Sequence, residues 1–600
     1  MGTCPPFYIL LILGLLSSPA RGTIFDNAHG IPAGKKYDFI VIGSGAGGAV
    51  IANRLTENPA TSVLVIEAGV SDKDQLNITV PFYTTRLSPN TPFDWNFTTV
   101  PQTHLNNRVL TYNRGFALGG STTINSMAYT RGTIDDWDRL AKLSGDQGWS
   151  WDSIFPKYVF KNEILTPPAD GHDVMENLDP AFHGTVGITG TSPPGFPTSI
   201  DDKVLVTTQE LNGEFPFNHE PNSGKHLGVG WQIVTARGGE RSSSSTSYLG
   251  PKFVVRPNLD IVLNTRVTRI LPENGGNGDL TIRTVEYAQT ADGQRQTLKA
   301  SKEVILAGGV IGTPHILLHS GIGPAQTLSK LGIASLVDNP SVGGNFTDHP
   351  GISQAWFVNS TDTWELAVRD PKVAAAQLVE WEKSRTGPLT RPVQSQLGWL
   401  RLPENAKIFQ QFEDPSAGPN SAHFEILFAN GLSDFPTPPK GNFMSILTAV
   451  VAPLSRGFVH INSVNPFDKP VVDTNFMESE FDLFTMRESL LAARRFLKAS
   501  VWKGYILEPF QHSNSETEEE LNEYIRNNAR PFWHGVGTAS MTPEDASYGV
   551  VNPDLKLKGV KGVRVVDGSV FPLVPTAHTQ APIYILAERA ADIIKKEWDL

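Results

Sequence analysis

The stretch YDFIVIGSGAGGAVIANRLTENPATSVLVIEAG, residues 37–69, constrains the fold more than any other part of the chain. YDFIVIG, residues 37–43, is a short apolar run ending in glycine, the pattern of a strand buried on both faces of a parallel sheet. AGGAVIANRLTEN has small residues spaced for a helix packed closely on that sheet, with Pro59 to stop it. SVLVIEAG, residues 62–69, predicts a second buried strand. Gly43, Gly45 and Gly48 stand at G-x-G-x-x-G spacing between the strands. The first glycine permits the tight turn, the second lets backbone N–H groups approach a pyrophosphate, and the third lets helix and sheet pack closely. Glu67 ends the second strand, 19 residues after Gly48, where a carboxylate accepts from a ribose 2′-OH. Its charge disfavours a 2′-phosphate and hence NADP; NAD and FAD remain. No second unit of this kind follows, which disfavours an enzyme that passes hydride from NAD(P)H to a flavin.

At 600 residues the chain exceeds what one hydrophobic core usually supports. The formal charge of -11 argues against nucleic acid and anionic membrane surfaces as partners. MGTCPPFYILLILGLLSSPARG, residues 1–22, reads as a secretory signal peptide: an apolar run from Phe7 to Leu16, then small residues before a cleavage site. The one cysteine, Cys4, lies inside it, so the mature chain is expected to carry neither disulfide nor thiol chemistry. Secretion favours a tightly held FAD over NAD, which is scarce outside cells. Sequons at Asn77, Asn96 and Asn359 are candidate N-glycan sites, and the one at Asn345 is disfavoured. No His/Cys/Asp group has metal-ligand spacing, so no metal is expected.

Strand-like segments recur at PNLDIVLNTRVTRI (257–270), TIRTVEYAQT (281–290), VILAGG (304–309) and GVRVVDGSVFP (562–572). PIYILAERAADIIKKEW, residues 582–598, carries apolar residues at helical spacing. A nucleotide domain built from distant segments is the expectation: residues 36–70, 228–345 and 552–600, with a substrate or cap domain from 71–227 and 346–551.

RGFALGGSTTINSMAYTRG (114–132), GGVIGTPHILLHSGIG (308–323), WHGVGTASM (533–541) and VVDGSVFPLVPTAHTQAPIYILAERAADII (565–594) narrow the reading. With the N-terminal unit they resemble the glucose–methanol–choline (GMC) family of FAD oxidoreductases, over nearly the whole mature chain. Within that family FDWNFTT, RSSSSTSYL, SRTGPLT, NPFDKP and GVVNPDLK are most similar to fungal aryl-alcohol oxidases, with pyranose dehydrogenases next. The resemblance implies an α/β fold: a discontinuous Rossmann-like FAD-binding domain plus a substrate domain with an antiparallel sheet and helices. It places Gly43, Gly45, Gly48 and Glu67 on the ADP moiety, Gly119, Gly120, Ser121 and Asn125 along the flavin, and Asp567 and Gly568 near the pyrophosphate and ribityl chain. SVGGNFTDH, residues 341–349, matches a motif close to the cofactor domain. His534 and His578 match the catalytic pair. Three departures stand out. Phe116 replaces a usual basic residue, Ser126 a usual aromatic, and Ile124 the histidine that carries covalent flavin in some relatives, so FAD is expected to be non-covalent.

Oxidising an alcohol removes a proton from the hydroxyl and a hydride from the α-carbon. Flavin N5 can take the hydride. Neutral imidazole, with an ordinary pKa of about 6.5, suits the proton. His534 is read as the base and His578 as the hydrogen-bond partner of the oxygen, the order not being fixed by sequence. Phe532 and Trp533, beside that base, are candidates to stack on an aryl substrate, with core packing the alternative. His104, His315, His319 and His423 are read as structural. The implied activity is oxidation of primary or aryl alcohols to aldehydes, with O2 (giving hydrogen peroxide) or a quinone as acceptor. A quinone-using sugar dehydrogenase or a non-redox hydroxynitrile lyase of the same family is the alternative.

Overall fold

The computed structural model describes residues 22–32, 34–173, 178–273, 280–511 and 513–600. The signal segment, apart from its last residue, lies outside the described residues. Two sheets carry the architecture.

The first takes its strands from distant parts of the chain: β1 (Thr23–Phe25), β2 (Tyr37–Ile42), then helix α1 (Ala46–Leu55), β3 (Val63–Ile66), β4 (Leu259–Val262), β5 (Arg266–Pro272), β6 (Ile282–Ala288) and β7 (Gln296–Leu306). Its order is β1-β4-β3-β2-β7-β6-β5, and a last strand from near the C-terminus adds to β7. The segment from β1 to β7 is parallel except for the β5-β6-β7 meander. β7 serves both halves: Gln296–Lys299 pair with β6, and Ala300–Leu306 pair with β2 across a register shift after Ala300. β2 and β3 are buried almost throughout, as continuous apolar runs in a covered parallel sheet must be. β1, upstream of residue 36, was not anticipated as part of this sheet.

Helix α2 (Gly309–His319) follows β7 directly, so the expected strand at 304–309 ends at Leu306 and its two glycines begin a helix. The second sheet comprises β8 (Pro350–Val358), β9 (Gln396–Leu400), β10 (Phe424–Ala429) and β11 (Phe443–Val450); helix α3 (Glu480–Phe496) packs on it; β12 (Ile506–Pro509) and β13 (Arg530–Pro531) both pair with β8. Its order is β9-β10-β11-β8-β12, all antiparallel. Side chains alternate across it. Phe424, Ile426, Phe428, Met444 and Ile446 join Phe481 and Phe496 of α3 in one core cluster. Leu397, Trp399, Leu427 and Leu447 turn to the opposite face with Trp364 and Phe532. Glu425 shares the parity of Leu427, and so the strand aims a carboxylate at that face.

The chain closes with β14 (Val563–Val565), which pairs with β7, and helix α4 (Gln580–Trp598). The strand expected over 562–572 is shorter, because Asp567 Oδ1 accepts from the Ser569 N–H and folds the chain into a turn at 568–570. α4 packs on α1, pinned by Arg54, whose guanidinium donates twice to buried Glu588 at 2.8 Å. No helix among the described residues is long and apolar enough to cross a membrane.

Candidate active site

A cavity of about 950 Å³ lies between the carboxyl ends of the parallel strands and the Leu427 face of the antiparallel sheet. Open α/β sheets place their ligands at that end of the strands. Gly43, Gly45, Glu67, Gly120, Ser121, Asn125, Asp567, Gly568, Phe532, Trp533, His534 and His578 all line it. Gly48 and Gly119 do not, and both are packing positions. A Cβ on Gly48 would sit 2.0 Å from the Gly43 carbonyl oxygen. Gly119 has φ +94°, and its N–H donates to Ser44 Oγ at 2.9 Å.

Ser44 ties three site elements together. Its hydroxyl donates to Glu67 Oε2 at 2.6 Å, its own N–H donates to the same oxygen, and its Oγ receives Gly119. Gly69 N–H donates to the other Glu67 oxygen. The acid is therefore partnered by the protein itself, before any ligand is bound. Burial pushes its carboxyl upward in pKa.

Three helices begin at the cavity wall: α2 after Gly308, whose first N–H donates to Asp567 Oδ2, and α1 after Gly45 and α4 after Thr579, which have no side-chain cap. Their first N–H groups are what an anionic or carbonyl-bearing ligand seeks. A Cβ on Gly45 would meet no atom within 4 Å, so the turn leaves open space on its ligand side. The 114–126 loop lies directly over this turn: a Cβ on Gly120 would come 2.9 Å from Gly45 Cα. Asn125 is held on both sides, donating to Gln580 Oε1 at 2.5 Å and accepting from Arg241 Nη1 at 2.8 Å. Arg241 is buried without a carboxylate partner, which lowers its pKa to about 9. Asp567 Oδ2 accepts from Gly309 N–H and Thr313 Oγ1, so it fixes the α2 terminus at the cavity.

Phe116 does not leave a gap where a basic residue was expected. Its ring meets Trp95 edge-on at 4.6 Å, and Arg266 lies 4.8 Å over the same indole. His315, read as structural, lines the cavity beside Arg266. His423 is structural: it accepts from Leu402 N–H and pairs with Asp414.

The two candidate catalytic histidines meet at the other end. Their ring centroids are 4.5 Å apart, with planes at 70°. His578 Nε2 lies 2.7 Å from Glu425 Oε1, and the His578 backbone N–H donates to Thr130 Oγ1 at 2.7 Å. The Glu425 contact orients the His578 ring and leaves its Nδ1 for a ligand. His534 Nδ1 lies 3.0 Å from Nδ1 of a third histidine, His349. The backbone N–H groups of His349 and His534 both donate to Asp348 Oδ1 at 2.7 Å, and Tyr112 OH donates to Oδ2 at 2.7 Å. Burial raises Asp348 to about 6. Burial, then His578, His349 and Arg114, hold His534 well below its ordinary 6.5. It is neutral and ready to accept a proton.

Phe532 and Trp533 part company. Phe532 packs with Trp364, Leu427 and Leu447, over Gly351, where any Cβ would fall 2.0 Å from its ring. Trp533, at φ +59°, packs with Phe97, Tyr112 and Phe346, and its carbonyl accepts from Arg114 Nη2 at 2.5 Å. Glu425, Asp348 and His349 were not singled out from sequence. Glu425 had a signal, as the only charge in the apolar strand FEILFA. His349 ends the quoted SVGGNFTDH motif, but nothing local says that it meets residue 534.

Comparison with known proteins agrees with this geometry. Two models of the GMC oxidoreductase family match residues 37–351 and 453–587. A dehydrogenase, eriK, of Hericium erinaceus is 41% identical over 587 residues, 95% of this chain and 96% of the relative. Pyranose dehydrogenase 3 of Leucoagaricus meleagris is 40% identical over 596 residues, 96% and 95% of the two chains. The solved structure of a fungal aryl-alcohol oxidase superposes with a TM-score of 0.79 at 27% identity, covering 94% of this chain and all of the other. The glycine turn, the open side of Gly45 and the uncapped starts of α1 and α4 fit the pyrophosphate and pyrimidine groups of FAD. The chain belongs to the GMC oxidoreductase family, and its cofactor is FAD.

Proposed function

We propose that the protein oxidises apolar primary alcohols, aryl alcohols among them, to aldehydes. The observation that carries this is the wall facing the histidine pair. Phe82, Trp364, Val393, Leu427, Leu447 and Phe532 line the cavity there, and apolar side chains outnumber hydrogen-bonding ones. A sugar offers hydroxyls in every direction, and each one buried without a partner costs roughly 1–3 kcal/mol. An aryl or alkyl group gains by burial against the same wall.

His534 accepts the hydroxyl proton, and His578, held by Glu425, donates to the oxygen. Bound FAD supplies the two-electron acceptor for the hydride that leaves the α-carbon. Gly43, Gly45 and Glu67 would hold its nucleotide end; Gly120, Ser121, Asn125, Asp567 and Gly568 would hold the ring and ribityl end. The final electron acceptor in this reading would be O2, giving hydrogen peroxide, or a quinone. Ile124 lines the cavity and offers no nucleophile for a flavin bond, so the cofactor is held non-covalently. The protein is secreted in this reading. Asn359, exposed on its loop and with its amide held only by a 3.4 Å contact to the Gly504 carbonyl, is then favoured as a glycan site, with Asn77, over Asn96, whose amide donates to two carbonyls of its own turn, and over Asn345, which donates to Ser540 and Pro572.

A sugar dehydrogenase is the second reading. The identity to a pyranose dehydrogenase favours it, as do Gln394 and Asp434 in the wall. Stopped-flow, anaerobic reduction of the flavin by p-methoxybenzyl alcohol and by glucose decides between them. Faster bleaching by the aryl alcohol is expected. Faster bleaching by glucose replaces the first reading with the second, and no bleaching by any alcohol points to the lyase.

A further inference from the structure

Arg241 is a buried charge that no acid of the protein answers. It closes the hairpin that pairs 236–237 with 240–241, and it is 4% exposed. Among the described residues no carboxylate pairs with it, and burial is the one influence on its basicity. Its Nε donates to the Ile78 carbonyl at 2.9 Å, and Nη1 donates to the Asn125 carbonyl at 2.7 Å and to Asn125 Oδ1 at 2.8 Å. Nη2 is buried with no hydrogen bond. A guanidinium keeps its charge at neutral pH, and a buried charge without a counter-charge is costly. Neutral side chains can serve carbonyls without that cost, so the carbonyls alone do not account for an arginine.

The cavity begins on the other side of Asn125. Asn125 Oδ1 also accepts from Met127 N–H at 3.2 Å, so two donors turn the amide oxygen toward Arg241 and the nitrogen away from it. One Nδ2 hydrogen goes to Gln580 Oε1 at 2.5 Å; the second is left for a ligand, and Asn125 lines the cavity. Gln580 is the first residue of α4, whose uncapped start lies at the same wall. A side-chain N–H, a helix N-terminus and, one amide behind them, a guanidinium therefore converge there. The acids that line the cavity are taken up elsewhere: Glu67 by Ser44 and Gly69, Asp567 by Gly309 and Thr313, Asp434 by Arg530.

When the α-carbon C–H bond breaks, the hydride carries two electrons and one proton, and so one negative charge, to the cofactor, while the hydroxyl proton goes to the base. We propose that Arg241 is the counter-charge for those electrons: acting through Asn125, it stabilises negative charge on the reduced cofactor and raises the reduction potential of bound FAD. The inference needs FAD and no particular alcohol. Arg241 is a positioning residue, since it does not line the cavity and reaches a ligand only through the Asn125 amide and its own field. Away from water that field is weakly screened.

A redox titration of the holoenzyme, with dithionite as reductant and reference dyes, reads the potential without turnover, so failure of every alcohol to bleach the flavin leaves this test intact. Arg241→Gln, which keeps an N–H for Asn125 and loses the charge, should shift the equilibrium toward oxidised FAD by about 10–100-fold, a potential about 30–60 mV lower. Arg241→Lys, which keeps the charge, should stay within a few-fold of wild type. A role only in holding the loop or the pyrophosphate would weaken binding of oxidised FAD and leave the potential where it was. An unchanged potential in Arg241→Gln, or equal falls in both variants, overturns the proposal. If Arg241→Gln cannot hold FAD, the wild type decides. Between pH 5 and 6, where free FAD takes up two protons with two electrons, its potential should fall by about 30 mV per pH unit, the slope for one proton. A slope of about 60 mV means that no negative charge is held in the cavity, and overturns the proposal.

Discussion

Glu425 concentrates the electrostatics of the site in one side chain. It is fully buried, one oxygen accepts from His578, and the other has no hydrogen bond. A carboxylate so placed is costly unless a positive charge faces it. The group it answers is the His578 ring, which it holds toward the alcohol oxygen. Glu425→Gln keeps the shape and an acceptor oxygen and removes the charge. The amide nitrogen would fall where an oxygen already lacks a partner, so the fold should survive. A charge-assisted hydrogen bond is worth about 1.5–3 kcal/mol. The expected outcome is flavin reduction slowed about 10–100-fold, with FAD binding and melting temperature nearly unchanged. A rate within twofold of wild type in stopped-flow would remove Glu425 from the mechanism.

At the scale of elements, β2–α1–β3 makes two neighbouring glycines answer to different demands. Gly48 faces backbone, the Gly43 oxygen at 2.0 Å from a built Cβ, while Gly45 faces open cavity. Gly48→Ala should lower the melting temperature of the apoprotein itself. Gly45→Ala should leave the apoprotein melting as wild type does and weaken FAD binding by tenfold or more, measured by quenching of flavin fluorescence. Equal apoprotein melting temperatures in the two variants would refute this division. This unit was legible in the sequence because everything that defines it is local: apolar runs, glycine spacing and a terminal acid within 33 residues. The meander of β5–β7 was legible for the same reason. The antiparallel sheet was expected only by resemblance. Its strands have both faces buried, so the period-2 signal is weak, and β9, β10 and β11 are distant in sequence from β8. His349 was illegible as a site residue because its partner is 185 positions away. GVRVVDGSVFP misled because Asp567 makes a turn by a side-chain hydrogen bond that an apolar pattern does not encode.

At the scale of the whole molecule, the cost of burying neutral imidazoles sets the acid limit of stability. His226 stacks on Trp399 at 4.6 Å, and its Nε2 accepts from Ala422 N–H; burial lowers its pKa to about 3. His349 is likewise near 3 and His319 near 4, burial leading in each case. Their folded pKa values lie below the ordinary 6.5, so the unfolded chain binds more protons, and stability is lost as pH falls from 6.5 toward those values. Asp201 and Asp348 act in the opposite sense. Burial raises both to about 6, so between 3.8 and 6 it is the folded chain that holds the extra protons. Beyond these three, burial also holds His534 and His315 well below 6.5, while His183, which burial lowers but the Glu163 contact raises further, to about 8, opposes them near and above 6.5. The holoprotein should melt at a lower temperature at pH 5 than at pH 7, with the fall beginning near 6.5. Each net proton taken up on unfolding contributes about 1.4 kcal/mol per pH unit. His226→Gln removes one of the three groups and keeps an acceptor for the Ala422 N–H, so its melting temperature should fall less over the same interval. Calorimetry across pH 5–7 reads both effects. A wild-type melting temperature that rises toward pH 5, or a His226→Gln curve parallel to wild type, would mean that His226 is not held neutral by the fold.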